Sequence, residues 1–245
     1  EKVRDLINAR FIEEIIFTTG TTDSINLVAD SWGHKNLKEG DEIILSEQEH
    51  HANIVPWQLL AEAVGFTIKV IPVLPSGELD LAAYSELLCE NTKLVSICHV
   101  SNALGIINPV AHITQLAHAA GAKVLIDGAQ AVAHLDVDVQ ALDCDFYAFS
   151  GHKAYGPTGI GVLYGKPELL EAMPPWQGGG ELIEQVSFAG THFQKPPFKF
   201  EAGTPAIAEA IGLSAALDFL CAQQQAQAYE QRLLTYARQQ LEKIQ

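Results

Sequence analysis

Short apolar segments alternate with longer segments of helical periodicity along most of the chain, and this alternation constrains the fold more than any other feature. Strands separated by helices of about ten or more residues predict a mostly parallel sheet with helices on both faces. We therefore expect an α/β fold with α/β/α layers and a mostly parallel, mixed sheet. The predicted strands are residues 14–18, 42–45, 67–73, 93–99, 123–126, 145–149 and 160–164, and the predicted helices between them are 21–31, 53–63, 79–88 and 109–118.

The composition indicates a compact protein and excludes several classes of partner. Of the 245 residues, 48% are hydrophobic and 18% are charged, which is typical of a globular domain. With 15 basic and 30 acidic residues the net charge is −15, which is unfavourable for binding nucleic acid or an anionic membrane surface. No segment has the length and apolarity of a membrane span. The four cysteines suggest reduced thiols, and we expect a cytoplasmic protein.

Parallel sheets bind ligands at the carboxyl ends of their strands, so polar residues at these ends are the candidates for a site. Lys153 follows one predicted strand, and Asp127 ends another. A lysine that attacks a carbonyl must be partly neutral, which burial can arrange. Pyridoxal phosphate (PLP) requires a lysine for its Schiff base and a carboxylate beside its pyridinium nitrogen. Taken alone, Lys153 would more often be a surface lysine, and Asp127 could cap a turn at Gly128.

Hydroxyl and imidazole groups near the same strand ends could hold a phosphate. Residues 19–22 join a strand to a helix N-terminus, where backbone N–H groups, the hydroxyls of Thr21 and Thr22 and the helix dipole favour an anion. Ser150 and His152 lie within reach of the same ligand if Lys153 does. A helix cap for the threonines and local turn bonding for Ser150 and His152 are the structural alternatives.

Three further polar residues could orient an aromatic ring. His50 or its neighbour His51 could stack on a pyridine ring, and Asn102 and Gln130 could hydrogen-bond its hydroxyl oxygen. A metal site at the paired histidines is the rival interpretation, but adjacent side chains diverge and no zinc-type spacing completes the set. We therefore expect no metal. The segment 156–161 lacks the dinucleotide-binding spacing, 161–166 is one residue short of a P-loop, and no hydrolase nucleophile elbow is present.

Five motifs, taken together and in this order, resemble the group II cysteine desulfurases of the SufS/CsdA kind. These are fold-type I PLP enzymes of the class V aminotransferase family. The motifs are residues 19–26 (TGTTDSIN), 49–57 (EHHANIVPW), 99–102 (HVSN), 124–130 (VLIDGAQ) and 149–161 (FSGHKAYGPTGIG), and segment 137–147 (VDVQALDCDFY) is most similar to the SufS branch. The resemblance covers essentially the whole chain.

The resemblance implies a PLP-dependent conversion of L-cysteine to L-alanine, with the sulfur carried off as an enzyme persulfide for iron–sulfur cluster assembly. Selenocysteine lyase activity often accompanies it, and a homodimer with a SufE-like sulfur acceptor is implied. By motif position Lys153, His50 and Asp127 are the catalytic residues. Thr21, Thr22, Ser150 and His152 would hold the phosphate, Asn102 and Gln130 would serve the ring oxygen and carboxylate side, and Thr204 would reach the phosphate of the other subunit.

The family's persulfide-forming cysteine has no counterpart among the four cysteines of this chain. Cys89, Cys98, Cys144 and Cys221 lie outside that motif, and Cys98 and Cys144 fall in strand-like runs, so we expect both in the core. We expect a fragment lacking both ends: residues 1–205 form a PLP-binding large domain, and helices within 206–245 lead toward a small C-terminal domain. The alternatives are another class V lyase, transaminase or epimerase, or an inactive cofactor-binding or dimerisation fragment.

Overall fold

The computed structural model describes residues 1–223 and 225–244, and it contains a seven-stranded sheet, a separate two-stranded hairpin and helices that pack on the sheet. The strands of the large sheet are β1 (Ile15–Thr18), β2 (Glu42–Ser46), β3 (Thr67–Ile71), β4 (Thr92–Cys98), β5 (Lys123–Asp127), β6 (Phe146–Ser150) and β7 (Gly161–Gly165), and the hairpin is β8 (Ile183–Ser187) and β9 (Gly190–Phe193). The α-helices are α1 (Lys2–Leu6), α2 (Thr21–Leu27), α3 (His34–Asn36), α4 (Val55–Val64), α5 (Leu81–Leu87), α6 (Val110–Ala119), α7 (Val139–Leu142), α8 (Pro167–Ala172), α9 (Ile207–Ala222) and α10 (Ala226–Leu241).

The large sheet has the order β1-β7-β6-β5-β4-β2-β3. Strands β2 to β6 run parallel to one another, and β7 is antiparallel to both β6 and β1. The predicted mostly parallel, mixed sheet is therefore confirmed. In the register Cys98 lies opposite Asp127, and Asp127 lies opposite Ala148, so the carboxyl ends of β4, β5 and β6 meet at one edge.

Residues of the central strands alternate between two hydrophobic clusters, one on each face of the sheet. On β5, Val124 and Ile126 belong to the cluster that contains residues of α1, α5, α6 and α9, whereas Leu125 belongs to the cluster that contains residues of α2, α4 and α8. All three side chains are fully buried, and each such aliphatic side chain contributes about 1.5–3 kcal/mol of transfer free energy. Helices cover both faces, which confirms the α/β/α layers.

Two local predictions differ from the structure. The helix predicted at 21–31 is α-helical only to Leu27 and continues as a π-helical segment, Val28–Gly33. This segment packs closely on α4, and only glycine fits at position 33, since a Cβ there would lie 2.4 Å from Leu60. The helix predicted at 53–63 begins later, at Val55, and Asn53 does not cap it because Ile54 is the N-cap residue. The Asn53 side chain is fully buried and bonds Glu49, Trp57 and Ser96, so it serves the core.

Several short elements were not predicted. They include the short helices α3, α7 and α8 and the hairpin β8–β9. Pro167 at the first turn of α8 and Asp138 at the cap of α7 are ordinary helix-start residues. Such short elements have no measurable helical or strand period, so tertiary packing decides whether they form.

The helices predicted within 206–245 are observed as α9 and α10. Leu213 and Leu217 of α9 are buried in the cluster on one sheet face, whereas no residue of α10 is buried. Gln224 and Gln245, which fall within the predicted 206–245 segment, lie outside the described residues. The division at residue 205 stays a prediction. No helix in the described part of the chain is long and apolar enough to cross a membrane.

Candidate active site

A cavity of about 240 Å³ lies at the carboxyl ends of β4, β5 and β6 and collects nine of the ten predicted site residues. The nine are Thr21, Thr22, His50, Asn102, Asp127, Gln130, Ser150, His152 and Lys153. They come from five separate segments of the chain, and the parallel sheet brings these segments to one edge. The placement follows the rule that open α/β sheets bind ligands outside the carboxyl ends of their strands.

Lys153 and Ser150 are placed by the end of β6. Ser150 is the last residue of the strand and is buried, and a single 3-10 turn, Gly151–Lys153, brings the half-buried Lys153 to the cavity wall. Gly151 is needed here because a Cβ would lie 2.8 Å from the Ile160 side chain. The turn therefore fixes a primary amine beside the cavity on a rigid base.

The N-terminus of α2 forms one end of the cavity. The Thr21 backbone N–H donates to Ser150 Oγ at 2.8 Å, and the hydroxyls of Thr21 and Ser150 are hydrogen-bonded at 2.8 Å. Gly20 and Gly161 allow this approach, since a Cβ at Gly161 would lie 2.4 Å from Gly20 Cα. Thr22 and His152 are exposed beside this pair. Backbone donors, hydroxyls and a helix N-terminus form a suitable cradle for a phosphate.

Asp127 ends β5 and is buried against the cavity. Its Oδ1 accepts a hydrogen bond from the Ala129 backbone N–H at 2.9 Å, so the carboxyl group does stabilise the following turn. No residue among 1–223 and 225–244 donates to Oδ2. Burial raises the pKa of Asp127, while the Ala129 N–H and the charges of Lys153 and His50 lower it. A buried carboxyl group with one unpaired oxygen suits a cationic N–H donor such as a pyridinium nitrogen.

His50 caps a 3-10 turn, His51–Asn53, beside the cavity. Its Nδ1 accepts from the Ala52 backbone N–H at 3.1 Å, so the ring proton is assigned to Nε2. The exposed ring is free to lie against a flat ligand. The rings of His50 and His51 are 5.7 Å apart and tilted by 41°. Within the described ranges, no three His, Cys, Asp or Glu residues are grouped to hold a metal ion.

The two predicted amide side chains lie on the open side of the cavity. Asn102 is exposed in the loop after β4, and Gln130 is half-buried in the turn after β5. Neither amide is hydrogen-bonded to another described side chain, so both are available to a ligand. A lysine, a buried carboxyl group, an exposed imidazole and a phosphate cradle in one cavity fit PLP.

Thr204 is the predicted residue that the structure does not bring to this cavity. It lines a separate cavity of about 250 Å³ on the other side of the β1–α2 turn, together with Thr18, Thr19 and Trp176. Within one chain, Thr204 therefore does not join the phosphate cradle. The resemblance assigned it to the phosphate of the other subunit, and that role stays a prediction.

The sequence reasoning missed a buried polar group behind the cavity. Glu49 hydrogen-bonds Ser46, Asn53 and the Cys98 backbone, and Cys98 itself lines the cavity. Burial and the carboxylates of Glu49 and Asp127 raise the pKa of the Cys98 thiol, which keeps it protonated. The position of Glu49 three residues after the buried strand β2 and immediately before His50 could have identified it.

The sequence reasoning also missed a buried pair of polar side chains near Asp127, His99 and Tyr147. The buried His99 Nδ1 and Tyr147 hydroxyl are 3.0 Å apart, and burial lowers the pKa of His99 to about 4. Tyr147 passes so close to Gly128 that a Cβ there would lie 2.1 Å from its ring. Glycine at 128 is therefore required by close packing, which explains a residue that the sequence suggested only as a turn former.

Known proteins share both the sequence and the fold of this chain. The model of the aminotransferase class-V family matches residues 1–245. A cysteine desulfurase from Dickeya dadantii (strain 3937) is 58% identical over 239 residues, which are 96% of this chain and 58% of that protein. The cysteine desulfurase CsdA from Escherichia coli (S-sulfonic acid) matches with a TM-score of 0.90 and 48% identity over 93% of this chain and 57% of that structure.

A more distant solved structure is a C-DES mutant with glycine covalently linked to its PLP cofactor. It matches with a TM-score of 0.81 and 28% identity, and the match covers 94% of this chain and 60% of that one. The chain thus spans about 58% of the length of the curated relative.

Proposed function

Because the chain belongs to the aminotransferase class-V family, we propose that it is the PLP-binding part of a cysteine desulfurase. The observation that carries the proposal is the cavity in which Lys153 and the buried Asp127 lie on the ends of adjacent strands. The sequence identity of 58% to a cysteine desulfurase supports the reaction. The lysine, the buried carboxyl group, the imidazole and the phosphate cradle of the cavity support PLP as the cofactor.

Each group of the cavity has one task in holding PLP. The amine of Lys153 would bind the aldehyde carbon, and the Oδ2 of Asp127 would accept from the pyridine nitrogen. Thr21, Thr22, Ser150 and His152 would hold the phosphate at the end of the cavity where N–H and O–H donors converge. His50 would support the ring, and Asn102 and Gln130 would bond its polar substituents.

The chemistry follows from these positions. When bound, PLP supplies an electron-withdrawing ring that stabilises negative charge on the substrate's α-carbon. Asp127 would keep the ring nitrogen protonated, because it is buried and its Oδ2 has no donor among the described residues. Lys153 Nζ is the base that removes the α-proton and later returns a proton, since it is the primary amine at the cavity wall.

The overall reaction converts L-cysteine and an enzyme thiol into L-alanine and an enzyme persulfide. Cys98 and Cys144 are buried, and burial raises the pKa of both thiols, so neither is suited to accept sulfur. Cys89 and Cys221 are exposed but do not line the cavity. We assign the persulfide to a cysteine in the part of the relatives that this chain does not span.

The remaining assignments rest on the resemblance to the desulfurase family. They are a homodimer in which Thr204 of one subunit reaches the phosphate of the other, a SufE-like sulfur acceptor, a cytoplasmic location, activity toward selenocysteine, and the division into a PLP-binding domain (1–205) and helices (206–245) that lead to a small domain. The exposure of Thr204 in a separate cavity is compatible with a role across a subunit boundary.

The test of the reaction uses the natural protein at its full length. Alanine and sulfide are quantified after incubation with L-cysteine, PLP and a reductant, and Lys153→Ala is the inactive control. The proposal expects equal amounts of alanine and sulfide. Amino-group transfer to a keto acid, or racemisation without sulfide, would assign another class V reaction.

A further inference from the structure

Glu49 is a buried carboxyl group that no step of the proposed reaction uses. It lies between β2 and the turn that carries His50, and only 7% of its surface is exposed. Oε1 accepts from the Ser46 hydroxyl at 2.5 Å and from the Cys98 backbone N–H at 3.1 Å. Oε2 accepts from the Asn53 amide at 2.7 Å. The end of β2, the turn 51–53 and the end of β4 therefore all donate to one carboxyl group.

All three partners of Glu49 are donors. The Ser46 oxygen accepts from the Gln48 backbone N–H at 3.2 Å, which leaves its proton for Glu49. The Asn53 oxygen accepts from the Trp57 indole at 3.1 Å and from the Ser96 hydroxyl at 2.6 Å, which turns its NH₂ group toward Glu49. A backbone N–H can only donate. The Asn53 NH₂ group and the Cys98 N–H can accept no proton, so these hydrogen bonds favour the carboxylate over the protonated acid.

Burial opposes that anion. It raises the pKa of Glu49 to about 7, against the three hydrogen bonds, which lower it, and the charge of Asp127 raises it further. The titratable groups that face Glu49 are Asp127 and the Cys98 thiol, and the cations Lys153 and His50 act in turn on Asp127. Glu49 is consequently ionised in mildly alkaline solution and protonated in mildly acidic solution.

The position of Glu49 connects it to both sides of the cavity. The next residue is His50, whose ring lies on one side. The backbone N–H that Glu49 binds belongs to Cys98, which lies opposite Asp127 in the β4–β5 register. The carboxylate does not line the cofactor cavity itself. It can act on a ligand there only through these neighbours and through its charge.

Resting on the proposed function above, we propose that Glu49 is a positioning residue for PLP. Its carboxylate holds His50 and the Cys98 end of β4 in place and adds a second negative charge behind Asp127, on the side where the pyridinium nitrogen binds. Two nearby carboxylates in a site of low dielectric attract a cation more strongly than one. PLP affinity should therefore depend on the ionisation of a group that PLP does not contact.

The experiment measures the dissociation constant of PLP at pH 8 and pH 6 for the wild type, Glu49→Gln and the control Glu62→Gln. Glu62 is an exposed glutamate on α4, so its substitution removes the same charge far from any buried network. We expect Glu49→Gln to weaken PLP binding by about tenfold at pH 8, the effect of one pKa unit of difference in interaction between the charged and neutral side chain. At pH 6 the ratio to wild type should shrink to about threefold or less, because the wild-type carboxyl group is then protonated too.

A purely structural role for Glu49 would give the same ratio at both pH values, and that result would overturn the proposal. A ratio equal to that of Glu62→Gln would do the same. If Glu49→Gln fails to fold, Ser46→Ala is the second variant. It keeps the carboxyl group but removes one donor, so the fall in PLP affinity should begin at a higher pH than in the wild type. An unchanged profile would contradict the inference.

The same samples separate this inference from the proposed function. Borohydride reduction of the wild type with PLP should label Lys153. If the wild type binds no PLP, or the label lies elsewhere, the proposed function fails. If Lys153 is labelled but the Glu49→Gln ratio does not change with pH, only the role of Glu49 is wrong.

Discussion

Asp127 has the geometry for two tasks that the sequence presented as alternatives. One oxygen accepts from the Ala129 backbone and stabilises the turn, while the other has no donor among the described residues and lies at the cavity. An aspartate at a strand end can thus serve the turn and a ligand together, because a carboxylate has two oxygens with separate lone pairs.

Asp127→Asn separates the two tasks. The amide oxygen can still accept from Ala129, so the free energy of unfolding should change by about 1 kcal/mol or less. PLP affinity should fall by about tenfold or more, because the charge opposite the ring nitrogen is lost. Urea denaturation and a PLP titration check the two effects, with the exposed Asp136→Asn as the control. A loss of stability that matches the loss of affinity would show that Asp127 is mainly structural.

The raised pKa of Glu49 makes the free energy of unfolding depend on pH. Its pKa in the folded protein is about 7, above the ordinary 4.5, so the folded state binds this proton more tightly than the unfolded state. Its contribution to stability is complete below pH 4.5 and is lost as the pH rises through 7. Relative to Glu49→Gln, the wild type should lose up to about 3 kcal/mol between pH 5 and pH 8 in urea denaturation without PLP. A difference that does not vary with pH would contradict the raised pKa.

At the scale of elements, the site depends on the close approach of β7 to the turn before α2. In Gly161→Ala the new Cβ would lie 2.4 Å from Gly20 Cα, so β1, β7 or the turn must move. We expect a loss of about 1–3 kcal/mol of stability, measured by urea denaturation, and weaker PLP binding because the phosphate cradle includes Thr21. Gly178→Ala is the matched control, since nothing lies within 4 Å of its Cβ. Equal behaviour of the two variants would exclude this constraint.

The main elements were predictable from sequence because each has a clear period or an apolar run. All seven predicted strands are observed in the large sheet, and nine of the ten predicted site residues line the cavity at the strand ends. The strand order was not predictable, since it depends on pairings between distant segments. The π-helical segment and the role of Asn53 were also not predictable from the sequence. The first packs on α4 and the second bonds Trp57 of α4 and Ser96 of β4, and such contacts leave no local sequence pattern.

At the scale of the whole molecule, the four thiols divide into two classes. Cys89 and Cys221 are exposed, whereas Cys98 and Cys144 are buried and burial raises the pKa of both. Iodoacetamide at pH 8 should therefore modify Cys89 and Cys221 in the folded protein, and all four cysteines after denaturation. Peptide mass spectrometry measures the sites. Modification of Cys98 at the rate of Cys221 would contradict the protection of the cavity thiol.

The location of Thr204 could not be deduced from local sequence. Its position in a cavity separate from the other nine residues emerges only from the path of the whole chain. The motif resemblance named the residue, while the physical pattern around it, a glycine and a proline in a loop, indicates only a turn. Cavity residues at strand ends are predictable because sheet topology collects them, and loop residues are not.

The most direct test of the central claim is to locate the lysine that binds PLP. The chain is incubated with PLP, reduced with borohydride and digested, and the modified peptide is sequenced by mass spectrometry. We predict a single stoichiometric label on Lys153 that is lost in Lys153→Ala and retained in the exposed control Lys38→Ala. A label on another lysine, or undiminished specific labelling of Lys153→Ala, would contradict the assignment of this cavity as the cofactor site.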